Sequence, residues 1–313
     1  MTSVSELEQS IRNFVIEQRR QTTLMKDRAA YSALCSALDV IGDTELALDS
    51  CRLLDLKSAG EKYLYVYGVL QALYLQQDAV AELFKIIIPQ KSKTYKRSET
   101  IEIVRESRNA AVGHPANRRG EAKSHSIARI TLSKEGFQLA TYYPDRDSRF
   151  ERINLPHLIA SQQAEHIKVL SEVLEYLEKD EMMHRAKFKN DLLANCFHSS
   201  MGYMISKMYE ATWSHDKNLG LASLQSIELS LEKFKTKLEE RNEYYEGSGS
   251  RHAVEDLNYP INEFSKYLND TSDKLNDKDA YIFVSYIEKK IKEIREICEK
   301  IDNEYALKIK NSL

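Results

Sequence analysis

The octapeptide RNAAVGHP, residues 108–115, brings an arginine, an amide and a histidine close together in the chain. These are parts for cutting a phosphodiester without a metal ion. Arg108 offers a planar fork that holds a phosphate by two hydrogen bonds and stabilises the charge growing in the transition state. His114, with a side chain that titrates near neutrality, takes the proton from a ribose 2′-OH or returns one to the leaving 5′-oxygen. Asn109 supplies an amide to orient a phosphate or sugar oxygen. The structural alternative is a helix end at which both cations complement the C-terminal dipole and Arg108 pairs with an acid such as Asp78 or Glu82.

A helix has to carry these groups. KRSETIEIVRESRNAAV predicts one, with Ser98 as N-cap and Glu99 and Glu102 in or near the first turn. Gly113 suits the left-handed residue after its end, and Pro115 prevents a restart. At helical spacing Ile101, Val104, Ala111 and Val112 share one face, with Arg108 in its middle. A buried, unpaired guanidinium is costly. Arg108 must therefore meet a carboxylate, a second subunit, a wet cleft or an anionic ligand. Arg118, Arg119 and Lys123 follow in a polar connection, and Arg146 and Arg149 lie beyond it. These five cations are placed to track an RNA backbone, or to be ordinary solvated surface. Binding through them weakens as salt rises.

Upstream, Gly60 to Ile88 has helical periodicity in Tyr63, Tyr67, Leu70, Tyr74, Val80 or Ala81, Phe84 and Ile87, and Pro89 ends it. Gln77 and Asp78 interrupt the stripe as polar edge residues. Helices are expected earlier at 3–20 and 26–56. Downstream, HSIARITL and GFQLATYY predict a hairpin closed by SKEG, and PDRDSRFERINLP adds a third short strand. This β insertion spans about 124–153. Helices are expected at 156–186, 188–213, 218–245, 252–275 and 279–311, with EGSGS at 246–250 as a flexible loop. In the last helix Ile287, Ile291, Ile294, Cys298, Ile301, Tyr305 and Lys308 form a seam that suits its own domain or a dimerising coiled coil. A boundary near 180–188 divides the chain into 1–180 and 181–313. The fold class is mainly α: a helical bundle with a small β insertion, followed by a second helical unit.

Only 10 Gly and 5 Pro occur in 313 residues, which suits long helices. No basic-then-apolar N-terminal segment suggests secretion, and no run is long and apolar enough to span a membrane. Cys35, Cys51, Cys196 and Cys298 show no paired spacing, so neither a disulfide framework nor a zinc site is expected, and the cytoplasm is the expected location. Between Lys85 and Arg152 fifteen Lys and Arg face eight Asp and Glu, a local balance of +7 in a chain of net charge −3. That is a footprint suited to a polyanion. The remaining histidines lack metal-ligand spacing with a carboxylate, and no glycine-rich phosphate loop occurs. No metal and no cofactor are called for.

SRNAAVGHP, at a helix end in a helical domain, resembles the signature of the HEPN superfamily: an arginine, a polar neighbour, and a histidine a few residues on. YLYVYGVLQALYLQQDAVAELF resembles the long helix that packs on the motif helix in such proteins. The likeness covers roughly residues 1–180. It implies a HEPN-type bundle, a homodimer whose two motifs face one cleft, and metal-independent endoribonuclease activity in a toxin or antiviral defence role. It makes Arg108 the clamp, His114 the acid–base group and Asn109 a supporting polar group. Other members of the superfamily only bind RNA or protein. The alternative is therefore a non-catalytic helical module that uses the basic middle or the C-terminal seam to bind RNA, an antitoxin, a nucleotidyltransferase or another regulatory protein.

Overall fold

Serines open three helices of the N-terminal part. Ser3, Ser58 and Ser98 each accept a hydrogen bond from the backbone three residues on, and Glu6 and Glu61 close reciprocal capping boxes. A computed structural model of the chain describes residues 2–89, 91–113, 123–214, 217–271 and 275–306. Its structure is 73% helix and 6% strand, so the protein is mainly α with one small sheet. The helices are α1 (Val4–Ile16), α2 (Gln18–Leu24), α3 (Arg28–Leu53), α4 (Ala59–Ile87), α5 (Glu99–Arg108), α6 (Leu155–Phe188), α7 (Met201–Glu210), α8 (Asn218–Glu240), α9 (Gly249–Glu255), α10 (Asn258–Leu268) and α11 (Asp277–Ala306). The strands are β1 (Ser124–Ile127), β2 (Gly136–Tyr142) and β3 (Arg149–Asn154), antiparallel in the order β1-β2-β3.

The chain divides into two compact units. Residues up to Glu178 form the first, apart from Gln18–Thr23, which belongs with the residues from Lys179 onward.

In the first unit α4 is the central helix. Its N-terminal half buries Val66, Val69, Leu70 and Leu73 in a core shared with Leu48, Phe137, Leu139, Ile153 and Leu155. Its C-terminal half buries Val80, Leu83 and Phe84 with Ile11, Leu34, Leu38, Ile41 and Leu170. Between these cores lies a polar layer at one level of three helices. Gln76 donates to Glu45 (2.7 Å), Gln162 donates to Gln76 (3.0 Å), and Gln77 donates to Gln162 (2.7 Å). His166 Nδ1 lies 3.1 Å from Gln76 Oε1. Gln77 is thus wholly buried rather than at an edge. Tyr67 and Tyr74, expected within the apolar stripe, lie outside the buried face; Tyr67 is exposed and Tyr74 half-buried. The stripe was misplaced because α4 is covered on several sides, so one line of residues does not define its interior.

The sheet closes the first core from above α4. Gly136 is required there: its φ is +136°, and a Cβ would stand 1.8 Å from the Ile153 carbonyl oxygen. The first strand was expected to reach Leu132 but ends at Ile127. Arg129–Thr131 form a 3₁₀ turn instead, because the Thr131 hydroxyl donates to Ala128 O (2.7 Å) and accepts from Gln138 N (2.8 Å). The expected SKEG turn is present, with Ser133 N donating to Gly136 O (2.9 Å).

The second unit differs from expectation in three places. No single helix runs over 188–213. After Phe188 comes a 3₁₀ turn, Leu193–Cys196, whose first amides donate to the Asp302 carboxylate (Leu193 N, 2.8 Å; Ala194 N, 3.0 Å). The 252–275 helix is two helices, because Pro260 has no N–H for the carbonyl of Asp256 and sits in the first turn of α10. EGSGS is an ordered cap: Ser248 caps α9, and the buried Ser250 donates to Glu243 O (2.9 Å). The helix expected over 3–20 is also interrupted, since Glu17 leaves the helical region (φ −55°, ψ 124°) between α1 and α2. Arg19 and Arg20 of α2 then form ion pairs with Asp180 and Glu181.

Candidate functional site

The expected helix carries Arg108, but in a different form. It is α-helical only to Arg108 and continues as a π-helical turn, Asn109–Gly113. The Asn109 amide donates to both Arg105 O and Glu106 O at the changeover. The wider turn lays Ala110, Ala111 and Val112 against the Phe137 core. Beyond Arg108 the simple helical wheel therefore no longer describes the residues.

Arg108 is half-buried, at the edge of the face that carries the buried Ile101 and Val104. Its neighbours form a ladder along α4. Gln71, Tyr74 and Asp78 recur at helical spacing and face α5. Gln71 Oε1 accepts from Arg108 Nη2 (2.9 Å) and Nε (3.3 Å). Asn109 Oδ1 accepts from Arg108 Nη1 (3.2 Å). The guanidinium lies 4.4 Å from the centre of the Tyr74 ring. Arg105 takes the acid: it donates to Asp78 (2.8 Å) and to the Tyr74 hydroxyl (2.7 Å). Glu82 pairs with Lys85 at 3.8 Å. The alternative pairing of Arg108 with Asp78 or Glu82 is thus not formed, because Arg105, one turn earlier, reaches Asp78.

The electrostatic result is specific. Arg108 is held by two amide oxygens and an aromatic face, all of them neutral. Among the described residues no carboxylate lies within ion-pair distance of it. Of the five N–H bonds of a guanidinium, three are used by Gln71 and Asn109. The other two have no acceptor among the described residues. A guanidinium held this way has N–H bonds from which an anion could accept.

Other nominated residues fall into two groups. His114, Arg118 and Arg119 lie outside the described residues. Lys123, Arg146 and Arg149 come to one end of the sheet. Ser124 pairs with Tyr142 and Thr141 with Arg149, and the β2–β3 turn leaves from that same end. Arg146 stacks on the Tyr143 ring at 3.9 Å, and Arg149 lies 3.5 Å from Glu151. β1 runs beside the π-helical turn, which sets the insertion next to Arg108. His125 in β1 is held below the usual histidine range by burial and by Lys123, and its Nδ1 lies 3.0 Å from Thr141 Oγ1.

Gln71, Tyr74 and Arg105 were not singled out from sequence as parts of the site. The signal for them was the spacing of Gln71, Tyr74 and Asp78 on the helix next to the motif. Among the described residues no group of three or more His, Cys, Asp or Glu is arranged to hold a metal ion. A groove of about 540 Å³ in the second unit has Glu228, Glu232 and Glu255 against a single Lys235 on its walls, a poor lining for phosphate. The chain matches no family model, no curated protein and no solved structure. No helix among the described residues is long and apolar enough to cross a membrane.

Proposed function

We propose that the chain is an endoribonuclease of HEPN type, cutting RNA by attack of a ribose 2′-OH on the adjacent phosphate. The observation that carries this reading is the neutrally cradled guanidinium of Arg108. Arg105, one turn earlier, has a carboxylate partner in Asp78. Arg108 instead meets only neutral groups among the described residues, and a phosphoryl group is the partner such a guanidinium would hold. His114 moves the proton, Asn109 holds the arginine and orients substrate oxygen, and Arg118, Arg119, Lys123, Arg146 and Arg149 track the backbone. The homodimer, the toxin or antiviral role and the antitoxin or regulatory partner implied by the resemblance belong to the same proposal.

The seam of α11 supports this reading over the protein-binding alternative. Ile287, Ile291, Ile294 and Cys298 are buried in the second unit's own core, so they do not offer a coiled-coil surface. The test is cleavage of RNA by purified protein with and without a chelator, with the product ends identified. Cleavage that persists in chelator, leaves 2′,3′-cyclic or 3′-phosphate ends and disappears in Arg108→Ala and His114→Ala is expected. RNA that is bound but never cut overturns the catalytic reading in favour of the binding module.

A further inference from the structure

The sheet has two unlike faces. Phe137, Leu139 and Ile153 point into the first unit's core. Residues paired across antiparallel strands share a face. The register therefore lines up Ser126, Ala140 and Phe150 on the opposite face, with Ser124 and Tyr142 in the next row and Gln138 and Arg152 in the row before. Phe150 is 57% exposed and Tyr142 45% exposed. Neither ring packs on another ring or under a cation among the described residues. Their row neighbours Ser124 and Ser126 are small and exposed, whereas Ala140 between the rows is buried. Arg152 is the only charge in these rows. Glu151 alternates to the other side of β3, where Arg149 pairs with it.

We propose that this outer sheet face is a stacking platform for the unpaired bases of a single-stranded RNA. Exposed rings accept any base because every base has a π-face. Arg152, with Lys123 and Arg146 at the rim, supplies positive charge for the backbone. Ser124, Ser126 and Gln138 offer donors and acceptors to base edges. A protein-docking surface would carry a more apolar centre than two rings set among hydroxyls and an amide. The inference rests on RNA being the substrate and narrows it to the single-stranded form.

The test separates binding from cleavage. The full chain is titrated with a short 2′-O-methyl RNA, which lacks the attacking hydroxyl, as a single strand and as a duplex. Replacing one ring, Phe150→Leu or Tyr142→Leu, is expected to weaken single-strand binding about tenfold, the effect of one lost stack, and to leave duplex binding unchanged. Phe150→Trp is expected to restore affinity and to report stacking by quenched indole emission. Circular dichroism melts establish that each variant folds. Wild-type affinity in folded Leu variants overturns the platform, as does a change in oligomeric state without loss of RNA binding. Ring-dependent binding by a protein that cuts no RNA upholds the platform and refutes the nuclease.

Discussion

Replacing Gln71 by glutamate is the most discriminating perturbation of the site. The change adds one negative charge and alters the side chain's shape very little. In the wild type Gln71 Oε1 sits 2.9 Å from Arg108 Nη2 and leaves the guanidinium charge intact. A carboxylate there turns the contact into an ion pair, worth about 0.2–1 kcal/mol at a half-exposed position. Folding is therefore unchanged or slightly strengthened. For a phosphate on the open side of the fork the same carboxylate is a like charge roughly 7 Å away. At an effective dielectric of about 20–80 this repulsion is about 0.6–2.4 kcal/mol, or roughly a threefold to fiftyfold loss in RNA affinity and cleavage at low salt. Stability and function thus move in opposite directions, which a general packing defect does not produce. The assay pairs thermal denaturation with initial cleavage rates at two salt concentrations, and the deficit shrinks at the higher one as the charges are screened. A folded Gln71→Glu protein that binds and cuts RNA at the wild-type rate refutes the role given to Arg108.

Three further outcomes are expected. Burial holds His166 down at about 4, against a small opposing pull from Glu165. The unfolded chain therefore binds the extra proton first, and the first unit loses up to about 3 kcal/mol as pH falls from about 6.5 toward 4. Denaturation followed by hydrogen exchange in α4 will show that slope, and His166→Gln will flatten it. Glu45, raised mainly by burial, works in the opposite sense, losing stability as pH rises through the carboxylate range, so a slope of that sign would mean Glu45 dominates the layer. Gly136→Ala brings a methyl against the Ile153 carbonyl and is expected to cost about 2 kcal/mol or more, seen as faster amide exchange throughout the sheet. Arg241→Met leaves Asp302 without its fully buried partner and is expected to cost about 3 kcal/mol, measured as a lower denaturant midpoint for the second unit.

Local signals were legible where one residue type decides the outcome. Ser98 was recognisable as a cap because a hydroxyl before a periodic run has one obvious use, and it accepts from Ile101 N. The SKEG turn and the third strand follow equally local rules. What escaped sequence reasoning depends on partners distant in the chain. The amides of Gln76 and Gln77 resemble surface until Glu45, Gln162 and His166 arrive from α3 and α6 to bond them. The break between α9 and α10 is local, at Pro260, but the regular apolar spacing on either side of it reads as one helix.

The site divides along the same line. Arg108 and Asn109 are nominated by residue type and spacing. The neutral surroundings of Arg108 are not, because they depend on Asp78 of the next helix being reached by Arg105 and Arg97 and not by Arg108. Arg105 is placed to reach Asp78, and its side chain also donates to the Tyr74 hydroxyl. That leaves Arg108 to Gln71, which cannot neutralise it. Shifting the acid by two turns, with Gln71→Glu and Asp78→Asn together, would transfer the compensation from one arginine to the other without changing net charge. The anion site proposed at Arg108 requires the order of the two side chains on α4: the carboxylate opposite Arg105 and the amide opposite Arg108.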